Sequence, residues 1–306
     1  MAKTRALRRR IRSIESTRQV TRTMEMVSTS KLKRAQDRVV GARPYAQALA
    51  ETIGDLLSPE LAERFPLLRQ PTPPARGGPR RAAVLLITSN RGLAGAFNAN
   101  LIRAARERVA ALEAAGYTVD LLVVGKKAIA YFKFVRRPLA LARLDIGDRP
   151  TAAHAVELAG PLITQFEAGG LASLDVVYAR FKSALATPPV VERVLPIEAR
   201  RAVARTASGK TAPPRPEGRT PNFILRPGPE ELLAALLPLY VRNLVYRALV
   251  ETAASEHGAR RTAMKNATDN AGEILDILRR TFNRARQGQI TQELAEIVGG
   301  AEALKG

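Results

Sequence analysis

Two glycine-bearing turns and two histidines are the residues of this chain whose types and spacing could do chemistry. Gly92-Leu93-Ala94-Gly95 follows an apolar run and precedes a helical one, where dinucleotide-binding folds place their glycines. Binding a pyrophosphate there takes G-x-G-x-x-G, so that backbone N–H groups approach the phosphates and the helix seats closely on the strand. That spacing is absent, and no acidic residue closes the next strand, so the segment reads as a tight strand-to-helix turn. Gly209-Lys210-Thr211 has the ending of a phosphate-binding loop, but Ala204 stands where the upstream glycine belongs. Pro213-Pro214 then forbid the helix whose N-terminus would face a phosphate.

His154 has Glu157 three residues on, a spacing that could pair them on one helical face. With no nucleophile or metal ligand beside them, His154 reads as a structural residue rather than a base. His257 is the only other histidine, and cysteine is absent. A thiolate zinc site, an iron–sulfur cluster, a cysteine nucleophile and a disulfide framework are therefore excluded. No carboxylate spacing suggests a metal cage. The sequence thus predicts no catalytic residue, no cofactor and no metal.

Charge speaks more loudly. The 306 residues carry 49 basic and 28 acidic side chains, net +21, with a pI of about 11.2. Such a balance predicts attraction to nucleic acid, an anionic membrane surface or an acidic protein surface. It is unevenly spread: residues 1–57 hold 13 basic and 5 acidic groups, net +8, whereas residues 228–306 hold 10 of each. A basic end facing a neutral one is not the single patch of a simple nucleic-acid module. Arg8-Arg9-Arg10 with Arg12 reads as a solvated helix face, because Glu15 and Glu25 continue the same helix and targeting segments are poor in acids. No apolar run approaches the ~20 residues of a membrane-spanning helix, and no signal peptide precedes the first charged turn.

The elements that carry these residues fall into three parts. From about Thr4 to Leu57, apolar or small residues recur in steps of three and four, which predicts one long helix with a bend near Gly41 and Pro44. A second stripe runs from Glu230 through Leu233, Leu237, Val241, Thr252, Ser255, Ala259, Ala263, Ala267, Ala271, Ile274 and Leu278 to about Val298. Its ~70 residues would span ~105 Å, too long to be wrapped by a small domain of the same chain. Two such stripes predict an antiparallel coiled coil, with the small residues from Thr252 to Ala267 letting the helices approach closely. Between them, strands at Ala82–Thr88, Thr118–Val124 and Leu174–Phe181 alternate with helices at Asn98–Ala115, Lys126–Phe132 and Ala152–Glu167. Continuous apolar strands in that order predict a parallel sheet covered on both faces.

Three motifs together resemble one family. Ile14-Glu15-Ser16-Thr17-Arg18-Gln19-Val20-Thr21-Arg22-Thr23-Met24-Glu25-Met26-Val27 is similar to the N-terminal helix of the gamma subunit of F-type rotary ATP synthase. Ala263-Met264-Lys265-Asn266-Ala267-Thr268-Asp269-Asn270-Ala271-Gly272 and Ala285-Arg286-Gln287-Gly288-Gln289-Ile290-Thr291-Gln292-Glu293-Leu294 resemble its C-terminal signature, and Arg91-Gly92-Leu93-Ala94-Gly95 with Asn98 the turn after its first central strand. The family carries an acidic residue where Asn90 stands, and residues 205–219 look like a local extension.

The resemblance implies an α/β fold: two long terminal helices as an antiparallel coiled coil, plus a central Rossmann-like parallel-sheet domain. The expected divisions are 1–57 for the first helix, 58–80 for a linker and 81–204 for the α/β domain. A Pro/Arg-rich loop at 205–229 and the second helix at 230–306 complete them. It further implies a non-catalytic rotor, part of an ion-transporting complex, peripheral at the cytoplasmic face of a bacterial cell membrane. Its implied partners are the alpha and beta subunits of the catalytic hexamer, the epsilon subunit and the membrane ring of c subunits, with no nucleic acid and no small-molecule substrate. By position in the motifs, Met24, Arg260, Gln287, Thr291 and Glu293 are the implied contacts to beta subunits, and Arg260→Glu is expected to weaken coupling while leaving the fold intact. The rival from another class is a basic coiled-coil protein that binds nucleic acid through its +8 helix.

Overall fold

The computed structural model of the chain describes residues 2–57, 59–69, 80–197 and 228–303. Residues 70–79 of the expected linker, nearly all of the 205–229 loop, and Gly209-Lys210-Thr211 lie outside the described residues. In chain order the elements are α1 (Ala2–Leu56), α2 (Pro59–Arg64), β1 (Arg80–Ile87), α3 (Phe97–Ala114), β2 (Tyr117–Val124) and α4 (Lys126–Phe134). β3 (Leu141–Arg143), α5 (Ala152–Glu167), β4 (Ser173–Ala179), β5 (Pro189–Leu195) and α6 (Pro229–Ala303) follow. They form two compact units, one of residues 1–30 with 260–306 and one of residues 31–259.

In the first unit α1 and α6 pair antiparallel. Thr4 Oγ1 donates to Gln289 Oε1 at 3.2 Å, Arg279 Nη2 to Glu15 Oε1 at 2.7 Å, and Thr268 Oγ1 to Thr21 Oγ1 at 2.8 Å. Arg8 lies over the Phe282 ring, 5.6 Å from its centroid. Numbers rise along one helix as they fall along the other. The seam on α6 is Met264, Thr268, Ala271, Leu275 and Leu278, all buried, in steps of four and three. That is the heptad spacing of a coiled coil.

The phase of this seam corrects the sequence reading. The expected stripe took Ala263, Ala267 and Ile274, yet Ile274 is 43% exposed while Leu275 is 1% exposed. Ala271 and Leu278 of the expected stripe do lie on the seam; Ala263, Ala267 and Ile274 fall one residue short of it, because successive steps of four drift away from a 3.5-residue repeat.

The second unit is built on a five-stranded sheet in the order β3-β2-β1-β4-β5. β2, β1 and β4 are parallel neighbours, with Val84 opposite Leu121 on one side and Asp175 on the other. β3 joins in parallel, and β5 closes the far edge antiparallel to β4. The expected parallel core is there, and the sheet as a whole is mixed.

Side chains alternate across β1 with the strand's period of two. Ala82, Val84 and Leu86 meet Phe97, Leu101, Ala105 and Val109 of α3 and Ile129 and Phe132 of α4. Ala83, Leu85 and Ile87 join a cluster with Leu158 and Leu162 of α5, Ile53 of α1, and Leu233, Leu237 and Val241 of α6. α1 runs unbroken through Gly41 and Pro44. α6 also contains an 18-residue stretch of mean hydropathy 1.3, apolar and long enough to cross a membrane by composition, which a search for uninterrupted apolar runs misses. Five of α6's apolar residues, Leu233, Leu237, Val241, Val245 and Leu249, are buried in the core of this unit.

Candidate functional site

The turn after β1 is closed on itself. Ser89 N–H donates to Asn98 Oδ1 at 3.1 Å, and Ser89 Oγ donates to Arg91 O at 2.6 Å. Leu93 and Gly95 take φ values of +61° and +57°. Ser89 and Asn98 thus brace the strand-to-helix turn from within. Asn90 uses both ends of its amide: Nδ2 donates to Leu144 O at 3.0 Å and Ile146 O at 3.2 Å, and Oδ1 accepts from Lys126 N–H at 2.9 Å. A carboxylate at this position could accept from Lys126 but could not donate to the two carbonyls. The amide thus fits this chain's loop in a way the acidic residue expected from the resemblance would not.

At the carboxyl ends of β1 and β2 lies a cleft of about 510 Å³, lined among others by Thr88, Asn90, Asp145, Asp148, Thr252 and Glu256. Sheets of this kind bind ligands at that edge, so its ionisable groups matter. Arg143 donates to both oxygens of Asp145 at 2.7 and 2.6 Å and to Glu157 at 2.7 Å. The hydrogen bond from Arg143 holds the Asp145 carboxyl down at about 2. Burial pushes Asp148 up, but Lys31 Nζ at 2.5 Å and His257 Nε2 at 3.9 Å outweigh it, and the net direction is down. Both carboxylates are held ionised against cations, the opposite of what a general base working near neutral pH requires. Among the described residues, no group of three or more His, Asp or Glu could hold a metal ion.

His154 does not pair with Glu157. Its Nδ1 accepts from Thr151 N–H at 3.1 Å, closing a capping box at the start of α5, while Glu157 is taken by Arg143. Sequence spacing allowed the pair; the first-turn position of His154 decides against it.

The five residues expected to touch beta subunits are all on the long helices, and they differ in exposure. Met24 is half-buried, and Gln287, Thr291 and Glu293 are exposed. Thr291 Oγ1 donates back to Gln287 O at 3.0 Å, and Glu293 Oε1 accepts from Gln289 Nε2 at 2.9 Å. Arg260 is only 6% exposed. It is not a solvated surface arginine.

What the residues near the C-terminus show, and the sequence reading passed over, is an exposed apolar face. Ile290, Leu294 and Ile297 are 48%, 58% and 67% exposed. Their spacing of four and three places them on one side of α6. A contiguous apolar face left open on a helix end marks a surface meant to be covered. The signal was available as three large aliphatics at helical spacing.

The chain matches the family profile described as ATP synthase over residues 3–304. It is similar to the ATP synthase gamma chain of Gemmatimonas aurantiaca, with 55% identity over 309 residues covering the whole of both chains. With that of Moorella thermoacetica the identity is 45% over 307 residues, again covering both chains entirely. Among solved structures, a chain of the Euglena gracilis mitochondrial ATP synthase in the OSCP/F1/c-ring structure superposes with a TM-score of 0.66 at 20% identity, over 99% of this chain and 95% of that one. A chain from the Tetrahymena thermophila central stalk and c-ring structure gives 0.54 at 22% identity, over 81% and 99%. These two likenesses establish the fold.

Proposed function

The chain belongs to the ATP synthase gamma chain family, and on that premise we propose that it is the central-stalk rotor that carries ion-driven rotation to catalytic sites on beta subunits. It is a subunit of the complex with no catalytic group of its own. Ion flow turns a membrane ring of c subunits, the ring and the epsilon subunit turn the sheet-bearing part of this chain, and the helix pair turns inside the alpha–beta hexamer. An asymmetric axle changes the nucleotide affinity of each beta subunit only through contacts that differ between its states. Each charge crossing 100 mV makes available ~2.3 kcal/mol, so several are gathered per ATP and held as twist. The chain is a peripheral member of a membrane-associated complex, and we place it at the cytoplasmic face of the cell membrane.

The observation that carries this reading is identity of 55% over full length with a named gamma chain. The open face at Ile290, Leu294 and Ile297 supports it, because a helix end gripped by a collar of other subunits needs apolar surface on its outside. Gln287, Thr291 and Glu293 lie on the same exposed stretch and are the proposed beta contacts, with Met24 on the facing helix. Arg260, being buried, is proposed to act by fixing the helix beside the contact rather than by reaching out from it. The nucleic-acid reading gains no support. A tagged chain expressed in its own cells tests the proposal: it should recover alpha and beta subunits in one complex, and recovery of nucleic acid without them would overturn it.

A further inference from the structure

β4 ends beside α6, and beyond its last pairing with β1, Leu86 opposite Val177, its backbone has lost one neighbour strand. Side chains of α6 take that place. Ala179 N–H donates to Thr252 Oγ1 at 3.4 Å, Ala179 O accepts from Ser255 Oγ at 3.1 Å, and Phe181 N–H donates to Glu251 Oε2 at 3.2 Å. All three side chains are 3% exposed or less. One turn further on, a Cβ at Gly258 would stand 3.1 Å from Ala184 O, so the loop between β4 and β5 lies directly on the helix backbone. Thr252, Ser255 and Gly258 therefore seat α6 on the sheet domain, a role that the sequence reading, which had the small residues let the two helices approach closely, did not include.

α1 is fastened at the same edge of the sheet by a different route. Lys31 Nζ meets Asp148 Oδ2 at 2.5 Å, and Arg38 Nη1 donates to Asp148 O at 3.2 Å. The loop that carries Asp148 is in turn held by Asn90 through Leu144 O and Ile146 O.

Apolar packing resists separation but is non-directional, so a helix resting on it alone turns about its axis at small cost. Hydrogen bonds to fixed backbone groups have an angular optimum and resist that rotation. We infer that this polar belt, Glu251, Thr252 and Ser255 on α6 and the pair of Lys31 on α1 with Asp148 in the loop after β3, is the torque-bearing fastening that fixes the angle of the two helices relative to the sheet. On the α6 side, buried groups with satisfied partners cannot slip without leaving a donor or acceptor unpaired, which makes that half of the belt stiff rather than merely adhesive.

The inference rests on the rotor reading and is tested in the assembled complex. Thr252→Val with Ser255→Ala removes the two hydroxyls at nearly constant shape, and Asp148→Ala removes the Lys31 ion pair of the α1 tie at a position 30% exposed on its side chain, leaving only the Arg38 bond to the backbone carbonyl. Torsional stiffness is read from the angular fluctuations of a bead on the sheet domain with the hexamer anchored and nucleotide-stalled. Each variant is expected to lower stiffness about two-fold or more while ATP hydrolysis stays within about two-fold of the parent, and Ser255→Thr, which keeps a hydroxyl, to restore it. Parent stiffness in both variants would overturn the belt. So would loss of assembly and hydrolysis together, since the residues would then build the rotor rather than stiffen it. If the parent chain itself does not assemble or turn, the rotor reading fails instead.

Discussion

Replacing Leu275 by alanine probes the helix pair where its energetics can be worked out. Leu275 is 1% exposed, on the seam between Ala271 and Leu278. Removing three carbons at ~0.8 kcal/mol each forfeits ~2.4 kcal/mol of transfer free energy. A cavity term adds to this, kept small because two helices can close over a gap more readily than a full core, so the total is about 2.5–3 kcal/mol. At 1.4 kcal/mol per decade, local opening of the pair becomes about 60- to 150-fold more frequent. Two residues away, Ile277 is 55% exposed, and Ile277→Ala should change little, within about 0.5 kcal/mol. Native-state hydrogen exchange on the whole chain reads both, through amides at 4–28 and 264–285 against those of β1 as an internal standard. Fast exchange confined to the pair in Leu275→Ala, and absent in Ile277→Ala, is the expected result. Equal effects of the two substitutions would refute the seam phase, and acceleration in β1 as well would refute the pair as a separately opening unit.

Other consequences are as specific. Asp175 is a carboxylate 1% exposed in the middle of β4, held by Arg108 at 2.8 Å and Arg193 at 3.2 Å; Asp175→Ala strands two arginines and should cost about 3 kcal/mol in urea unfolding. Gly125 has φ +103°, and a Cβ would lie 2.3 Å from Thr88 O, so Gly125→Ala should lose at least about 3 kcal/mol and much of the soluble yield. Burial, with Glu192 close by, pushes the Tyr178 hydroxyl up to about 12. The folded state then keeps a proton that the unfolded state gives up near pH 10, so stability is intact below pH ~10 and falls as pH rises toward 12. Spectrophotometric titration should show a tyrosine ionising near 12, and Tyr178→Phe should remove that step.

Much of this architecture was legible in the sequence because it rests on long, regular signals. β1, β2 and β4 each carry a predominantly apolar run, and the terminal helices announce themselves by stripes many turns long. β3 was missed because it is three residues, and β5 because Pro189, Glu192 and Arg193 interrupt its apolar pattern, as befits an edge strand. Asp175 gave a signal, a lone charge inside an apolar strand, whose partners lie far off in sequence on α3 and β5. Ser255 gave one too, since helix propensity does not call for a serine there; the reason, Ala179 O, lies 76 residues away. Residues that act through distant backbone groups leave a trace of oddness in the sequence but not the identity of the partner.

The most direct measurement assembles the tagged chain with its own alpha and beta subunits on a surface, attaches a bead to the sheet domain, and adds ATP. Sustained rotation of the bead in one sense, stopping when ATP is exhausted, is the predicted result. A hexamer that hydrolyses ATP at full rate while the bead stays still, or that forms without taking up this chain, would contradict the account.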